Sequence, residues 1–216
     1  LRLRALDGSL VDPGQFIPAA ERYNLMASID RWVLSSVVAY AAKQHEMTGE
    51  RDNFCVNISG ASVADETFLD FAVSLIEEWA PPAGSLCLEV TETAAIENLS
   101  SAVDFMKRLK KMGVTFALDD FGNGFSSFAY LKNLPVDYLK LDGSFVRGID
   151  EEPIDRSMVE AVNRIGHVIG MKTIAEFVRN QKIQDIVEGF GVDFVQGYHI
   201  AKPAPLDDLG ETSATG

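Results

Sequence analysis

Cysteine is scarce in this chain: two residues, Cys55 and Cys87, in a length of 216. So few exclude a disulfide scaffold or a cysteine-rich zinc centre as the organiser of the fold. Each lies in an apolar, strand-like run. The pair is therefore expected as buried, reduced thiols of a cytoplasmic protein, with a disulfide possible on number alone. Histidine is as sparse, and His45, His167 and His199 share no metal-binding spacing. No apolar run approaches the roughly 20 residues of a membrane span. No signal peptide is visible either, since the chain opens on the charged, strand-like Leu1-Arg2-Leu3-Arg4. It does not begin with Met and reads as part of a longer protein. Positive charge is in deficit: Lys and Arg number 19 against 32 Asp and Glu, a formal net charge of −13. That excess argues against gripping a nucleic-acid polymer and against contact with anionic membranes. It permits a small anionic ligand if cations stand between ligand and protein.

What is present is the make-up of a globular protein, 47% apolar and 24% charged. Two patterns alternate. Short runs rich in β-branched and aromatic residues predict strands at Leu1–Leu6, Phe54–Ile58, Leu86–Thr91, Val114–Leu118, Tyr138–Leu141, Thr173–Ala175 and Phe194–Gln196. Between them lie stretches with helical spacing. Ile29, Trp32, Val33, Ser36, Val37 and Tyr40 form one stripe, and residues 68–79 another. Leu99, Val103, Met106 and Leu109 precede Gly113. Ile154, Met158, Val162, Ile165 and Ile169 precede Gly170, a natural helix stop. Repeating βα units predict a mostly parallel sheet, either open and doubly wound or closed into a barrel.

Polar residues at the strand ends favour the barrel. Asn57, Glu89, Asp119 with Asp120, Lys140, Glu176 and Gln196 each close a predicted strand. A barrel gathers the carboxyl ends of all its strands around one mouth, whereas an open sheet uses a single switch point. Seven strands are legible where a barrel needs eight. One domain is expected over residues 1–209, with a small polar tail at 210–216.

Four carboxylates at one rim, Glu89, Asp119, Asp120 and Glu176, would repel one another unless a divalent cation sat among them. Oxygen donors suit Mg²⁺ or Mn²⁺ rather than Zn²⁺. With the Asn57 amide they suffice for two ions that share a bridging Asp, an arrangement suited to phosphodiester hydrolysis. Lys140 is placed to hold an attacking water. Taken singly, each acid is as well explained by a helix cap or a surface ion pair; the set, on successive strands, is not.

The local wording is more specific. In order along the chain stand Phe16-Ile17-Pro18, Asn57-Ile58-Ser59, Glu89-Val90-Thr91-Glu92, Asp119-Asp120-Phe121-Gly122-Asn123-Gly124-Phe125-Ser126-Ser127, Leu139-Lys140-Leu141-Asp142, Ala175-Glu176-Phe177 and Gln196-Gly197-Tyr198. Over nearly the whole chain this resembles the EAL domain, the cyclic-di-GMP phosphodiesterase family. The family's pattern at these places reads roughly FIP, NxS, ExTE, DDFGTGYSS, LKID, AEGVE and QGY.

The resemblance implies a TIM-like (β/α)8 barrel with one antiparallel strand near its start. It implies opening of cyclic di-GMP to linear pGpG with two Mg²⁺ or Mn²⁺ ions. By position, Asn57, Glu89 and Asp119 would hold the first metal; Asp119 would bridge, and Asp120 with Glu176 would hold the second. Lys140 would contact the attacking water, Glu92 would steady the loop after Asp120, Gln196 would lie beside the metals, and Arg2 would contact the ligand's phosphate. It further implies a homodimer and fusion to GGDEF or sensory domains. A receptor that binds cyclic di-GMP without turnover is the alternative that degenerate members represent.

Three departures stand out. The glutamate that names the family, and the strand that carries it, would precede Leu1, so the barrel's opening strand is missing from this chain. Asn123 and Phe125 replace Thr and Tyr in the loop after the aspartates. AEGVE appears as Ala175-Glu176-Phe177-Val178-Arg179, with Arg179 in place of a glutamate, a charge reversal expected near the mouth. The basic run Lys107, Arg108, Lys110 and Lys111 is expected as the solvated face of a helix, and Trp32 and Trp79 as packing residues.

Overall fold

The computed structural model describes residues 1–122 and 128–206. The chain forms two compact units, Leu1–Asp137 and a second from Tyr138 onward. In each, parallel strands alternate with helices, an α/β fold. Asn123, Phe125 and the tail at 210–216 lie outside the described residues. Among the described residues no helix is long and apolar enough to cross a membrane.

The first unit opens on an antiparallel hairpin, β1 (Leu3–Arg4) against β2 (Leu10–Val11). Asp7 ties the turn by accepting from the Ser9 N–H at 2.9 Å and the Ser9 hydroxyl at 2.7 Å, and Gly8 takes a φ of +86°. β2 is the strand that pattern missed. It is two residues long, too short for an alternation to register.

α1 (Pro13–Arg22) begins with Pro at its first turn and leads to the long α2 (Met26–Thr48), which Gly49 ends in the left-handed conformation. There follow β3 (Phe54–Asn57), α3 (Gly60–Val63), α4 (Glu66–Trp79), β4 (Leu86–Thr91), α5 (Glu92–Glu97), α6 (Leu99–Lys110) and β5 (Thr115–Phe121). β3, β4 and β5 run parallel and in register. Val56, Leu88 and Phe116 are therefore neighbours on one face. All three are buried, and the Phe116 ring lies 6.0 Å from that of Phe105 on α6, which in turn stacks on Phe68 of α4 at 6.2 Å. These aromatics anchor the core of the first unit.

The second unit contains β6 (Tyr138–Leu141), α7 (Gly143–Gly148), α8 (Pro153–Ile169), β7 (Lys172–Ala175), α9 (Gln181–Gly189) and β8 (Phe194–Val195). β6, β7 and β8 are parallel neighbours. Gly170 ends α8 at a φ of +91°, as its position predicts. The buried face of α8 overlaps the expected stripe, with Val162 buried and Met158, Ile165 and Ile169 half-buried, but it centres on Val159, Asn163 and Gly166, and Ile154 is exposed. Gly166 lets the helix approach the sheet, since a Cβ there would stand 3.0 Å from Thr173 Cγ2 and 3.4 Å from Leu139 Cδ2. Asn163 then lies where its amide donates to the Phe190 carbonyl at 2.8 Å, while its oxygen accepts from the Thr173 hydroxyl at 2.5 Å.

Two further expectations are corrected. Cys87 is buried but Cys55 is exposed, and both are free thiols. Cys55 sits on the strand face opposite Val56, which the helices of the first unit leave uncovered. Trp32 is also exposed, because α2 buries Asp30, Leu34, Val38 and Ala41, a stripe adjacent to the one that apolarity indicated. The basic run on α6 does face outward, with Arg108 paired to Asp70 at 3.1 Å and Lys110 to Asp137 at 2.6 Å.

Candidate functional site

The sheet register of the first unit decides which donors share a face. Asn57 and Glu89 are direct partners across β3 and β4. Asp119 stands opposite Thr91, two residues beyond Glu89, so it lies on the same face one step nearer the carboxyl ends. Asn57 is exposed, whereas the Glu89 side chain is buried. Cys55 and Cys87 are the register pair one step below Asn57 and Glu89. Their mutual hydrogen bond pushes the Cys55 thiol well above the ordinary range.

Asp120 follows at a φ of +56°, a left-handed conformation that is uncommon outside glycine and that Asp tolerates better than most. Its N–H donates to Asp119 Oδ1 at 2.9 Å. The aspartate pair thus sits on a backbone kink, and the two carboxylates bring oxygens within 4.8 Å of each other.

Glu92 is the first residue of α5, capped by Thr91, whose hydroxyl accepts from the Ala94 N–H. Its buried carboxylate accepts from the Gly122 N–H at 3.2 Å and from the Tyr130 hydroxyl at 2.5 Å. It therefore ties residues on both sides of the 123–127 segment. Burial, then the Glu92 carboxylate, push the Tyr130 phenol well above its ordinary range.

One contributor had escaped sequence reasoning. Asp30, buried on α2, accepts from the Ser59 N–H at 3.0 Å, the Ser59 hydroxyl at 2.6 Å and the Ser62 hydroxyl at 2.7 Å through one oxygen. Ser59 caps α3. Asp30 thereby fixes the corner that follows Asn57. Its signal in the sequence was an acid set among apolar helix positions, which reads as an ordinary solvated residue until its partners are known.

The second unit supplies its own set. Lys140 on β6 and Glu176, just past β7, form an ion pair at 2.8 Å, with side-chain exposures of only 3% and 12%. Gln196 lies just past β8. Its N–H donates to the Ala175 carbonyl at 2.8 Å and its carbonyl accepts from the Val178 N–H at 3.0 Å, so its backbone brackets Glu176. The Gln196 side chain is exposed. Arg179 is held in an ion pair with Asp150 at 3.5 Å, and Lys182 shares that carboxylate at 3.4 Å. Its charge is therefore matched within the unit. Arg2 is engaged at the hairpin, where its Nε pairs with Asp12 at 2.9 Å.

The fit to hard divalent cations can be judged from the donors themselves. Asn57, Glu89 and Asp119 offer oxygen donors and share one face of one sheet, and among the described residues no His or Cys stands at their level on that face. That chemistry suits Mg²⁺ or Mn²⁺.

The profile of the EAL domain matches residues 1–203. The chain is 37% identical over 215 residues to the cyclic di-GMP phosphodiesterase PdeB of Shewanella oneidensis, covering 100% of this chain and 25% of that protein. It is 35% identical over 209 residues to PdeF of Escherichia coli, also named a cyclic di-GMP phosphodiesterase, covering 96% and 28%. The chain thus spans about a quarter of the length of these relatives. Its fold superposes on the PaMucR phosphodiesterase, solved in complex with c-di-GMP, with a TM-score of 0.90 at 30% identity, covering 96% of this chain and 84% of that one.

Proposed function

The chain belongs to the EAL domain family, and from that premise we propose that it hydrolyses cyclic di-GMP to linear pGpG. The observation that carries this reading is the retained donor set: Asn57, Glu89 and Asp119 on one sheet face, with Asp120, Lys140 and Glu176 at the following strand ends. Relatives named as cyclic di-GMP phosphodiesterases support the same substrate. In this reading the strands close a TIM-like barrel with a segment that precedes Leu1, and one domain extends over residues 1–209.

Asn57, Glu89 and Asp119 would hold one ion, and Asp119, Asp120 and Glu176 a second. Two Mg²⁺ or Mn²⁺ ions, when bound, supply positive charge that eases ionisation of a water and offsets charge on the phosphate. The chain's residues do the rest. The Lys140 ammonium, held by Glu176, orients the attacking water. Water adds to one phosphorus in line with the departing 3′ oxygen and gives up a proton to solvent, the P–O3′ bond breaks, and the 3′ oxygen takes up a proton from solvent as it leaves. Arg2, released from Asp12, contacts a phosphate; Gln196 presents its amide at the same rim; Glu92 keeps the aspartate loop in place. In this reading the domain acts as a homodimer. It sits within a longer protein whose other domains are of the GGDEF or sensory type, and a relative named as a bifunctional diguanylate cyclase and phosphodiesterase supports the fusion to a second catalytic domain.

The test is product formation. The protein, supplied with Mg²⁺ or Mn²⁺, should convert cyclic di-GMP to pGpG, and Asp119→Ala or chelation should abolish it. Binding without turnover, unchanged by chelator, would instead assign a receptor role.

A further inference from the structure

Phe177 is an unusual residue in its place. It directly follows Glu176 and adopts a φ of +53°, a left-handed conformation that bulky side chains rarely take. At this point the motif that the chain resembles has glycine, which takes that conformation freely. The strain is not offset by core burial, since Phe177 is 49% exposed. The ring is nevertheless fixed. Gly143, the first residue of α7, provides the space it occupies: a Cβ there would run into the Cδ2 and Cε2 atoms of Phe177. From α7 the Arg147 guanidinium lies over the ring, 3.9 Å from its centroid. Arg147 itself is exposed, so its donors face solvent.

A strained residue that packs into no core, held rigid beside a buried ion pair, has the marks of a ligand contact. An immobile aromatic surface next to a site for a dinucleotide offers what a purine requires, a flat apolar face that loses little entropy on binding. The cation behind the ring adds a charge complementary to the ligand's phosphates and to base oxygens.

We propose that Phe177, backed by Arg147, is a stacking platform for one purine base of a bound cyclic dinucleotide. The proposal rests on the cyclic di-GMP reading above. It adds a base-contacting residue to a strand end that otherwise supplies only the Glu176 carboxylate.

The experiment compares wild type with Phe177→Leu, which keeps bulk but loses the aromatic face, and Phe177→Gly, which also relieves the backbone strain. Cyclic di-GMP binding is measured by calorimetry with and without divalent metal, KM and kcat by turnover, and Mn²⁺ affinity separately. Thermal melts establish that both variants fold. Both are expected to raise the Kd about 5- to 150-fold, the range of a single base–aromatic stack. KM should rise in step, kcat should carry the smaller part of the loss, and Mn²⁺ affinity should hold. Phe177→Tyr should bind as wild type does. A Kd within twofold of wild type for both Leu and Gly variants would overturn the platform and leave the enzyme reading intact. A fall in kcat or Mn²⁺ affinity at unchanged Kd would also overturn it, making Phe177 a positioning residue for Glu176. Failure of wild type itself to bind cyclic di-GMP in any of these conditions would bring down the functional reading first, and the platform with it.

Discussion

Lys140 and Glu176 are joined at 2.8 Å across two neighbouring strands, and neither side chain reaches far into solvent. A lysine so placed is a fixed charge, not a mobile surface one. Lys140→Ala is expected to lower kcat by about 100-fold or more, the usual scale for losing a positioned polar catalytic group. KM for cyclic di-GMP should change much less. Steady-state kinetics decides, and a kcat within threefold of wild type would remove Lys140 from the mechanism.

Asp30 gathers three donors onto one buried oxygen. Its removal leaves the Ser59 N–H and two hydroxyls to find new partners. Asp30→Ala should destabilise the protein by about 2–4 kcal/mol, on the scale of lost hydrogen bonds to a buried charged group. Asp30→Asn, which keeps an acceptor, should cost less. Urea unfolding gives both values.

The Tyr130 phenol, raised by burial and by Glu92, makes a pH prediction. A raised folded-state value favours the protonated phenol. Its stabilising contribution is therefore complete below about pH 10, the ordinary phenol range, and is lost as pH rises from there through the folded value. Stability measured against pH should fall more steeply above pH 10 in wild type than in Tyr130→Phe. Ultraviolet titration should show one of the five tyrosines ionising only as the protein unfolds. Parallel curves for the two proteins would contradict the assignment.

Phe105 links Phe68 to Phe116 and is itself fully covered. Phe105→Ala opens a cavity between two helices and the sheet. A loss of about 3–5 kcal/mol is expected, read as a drop in the thermal midpoint. Phe105→Leu should retain most of the stability.

Thiol labelling tests the face that carries Asn57. Native alkylation should reach Cys55 before Cys87, because only Cys55 is exposed. It should be slow at neutral pH, because the raised thiol holds little thiolate. Mass spectrometry after tryptic digestion identifies the order.

Much of this arrangement was readable from the sequence, for identifiable reasons. β4 and β6 have the limits that apolarity and β-branching indicated, because central parallel strands are buried on both sides and leave no ambiguity. The end of α8 followed from Gly170. The centres of the buried faces of α2 and α8 did not follow, because hydrophobicity alone does not register the close approach and hydrogen bonds on which these helices pack. α8 turns Gly166 and Asn163 inward for close approach and a hydrogen bond, and α2 turns Asp30 inward to serve Ser59. At the site, the motif positions indicated which residues matter. Their pairings did not: the Asp150 partner of Arg179, the Tyr130 partner of Glu92 and the strain at Phe177 are properties of the folded chain.

Gly197 carries a mechanical consequence. A Cβ at this position would run into the backbone of Val178, so the chain past β8 lies directly on the chain past β7. Backbone bonds from Gln196 to Ala175, from Val178 to Gln196 and from His199 to Val178 rivet the two segments together. Glu176 is framed by these bonds. Its carboxylate can be re-aimed only by rotating the side chain, or by moving both strand ends as one plate. Any strain applied at Tyr198 or His199 is therefore delivered to Glu176 without slack.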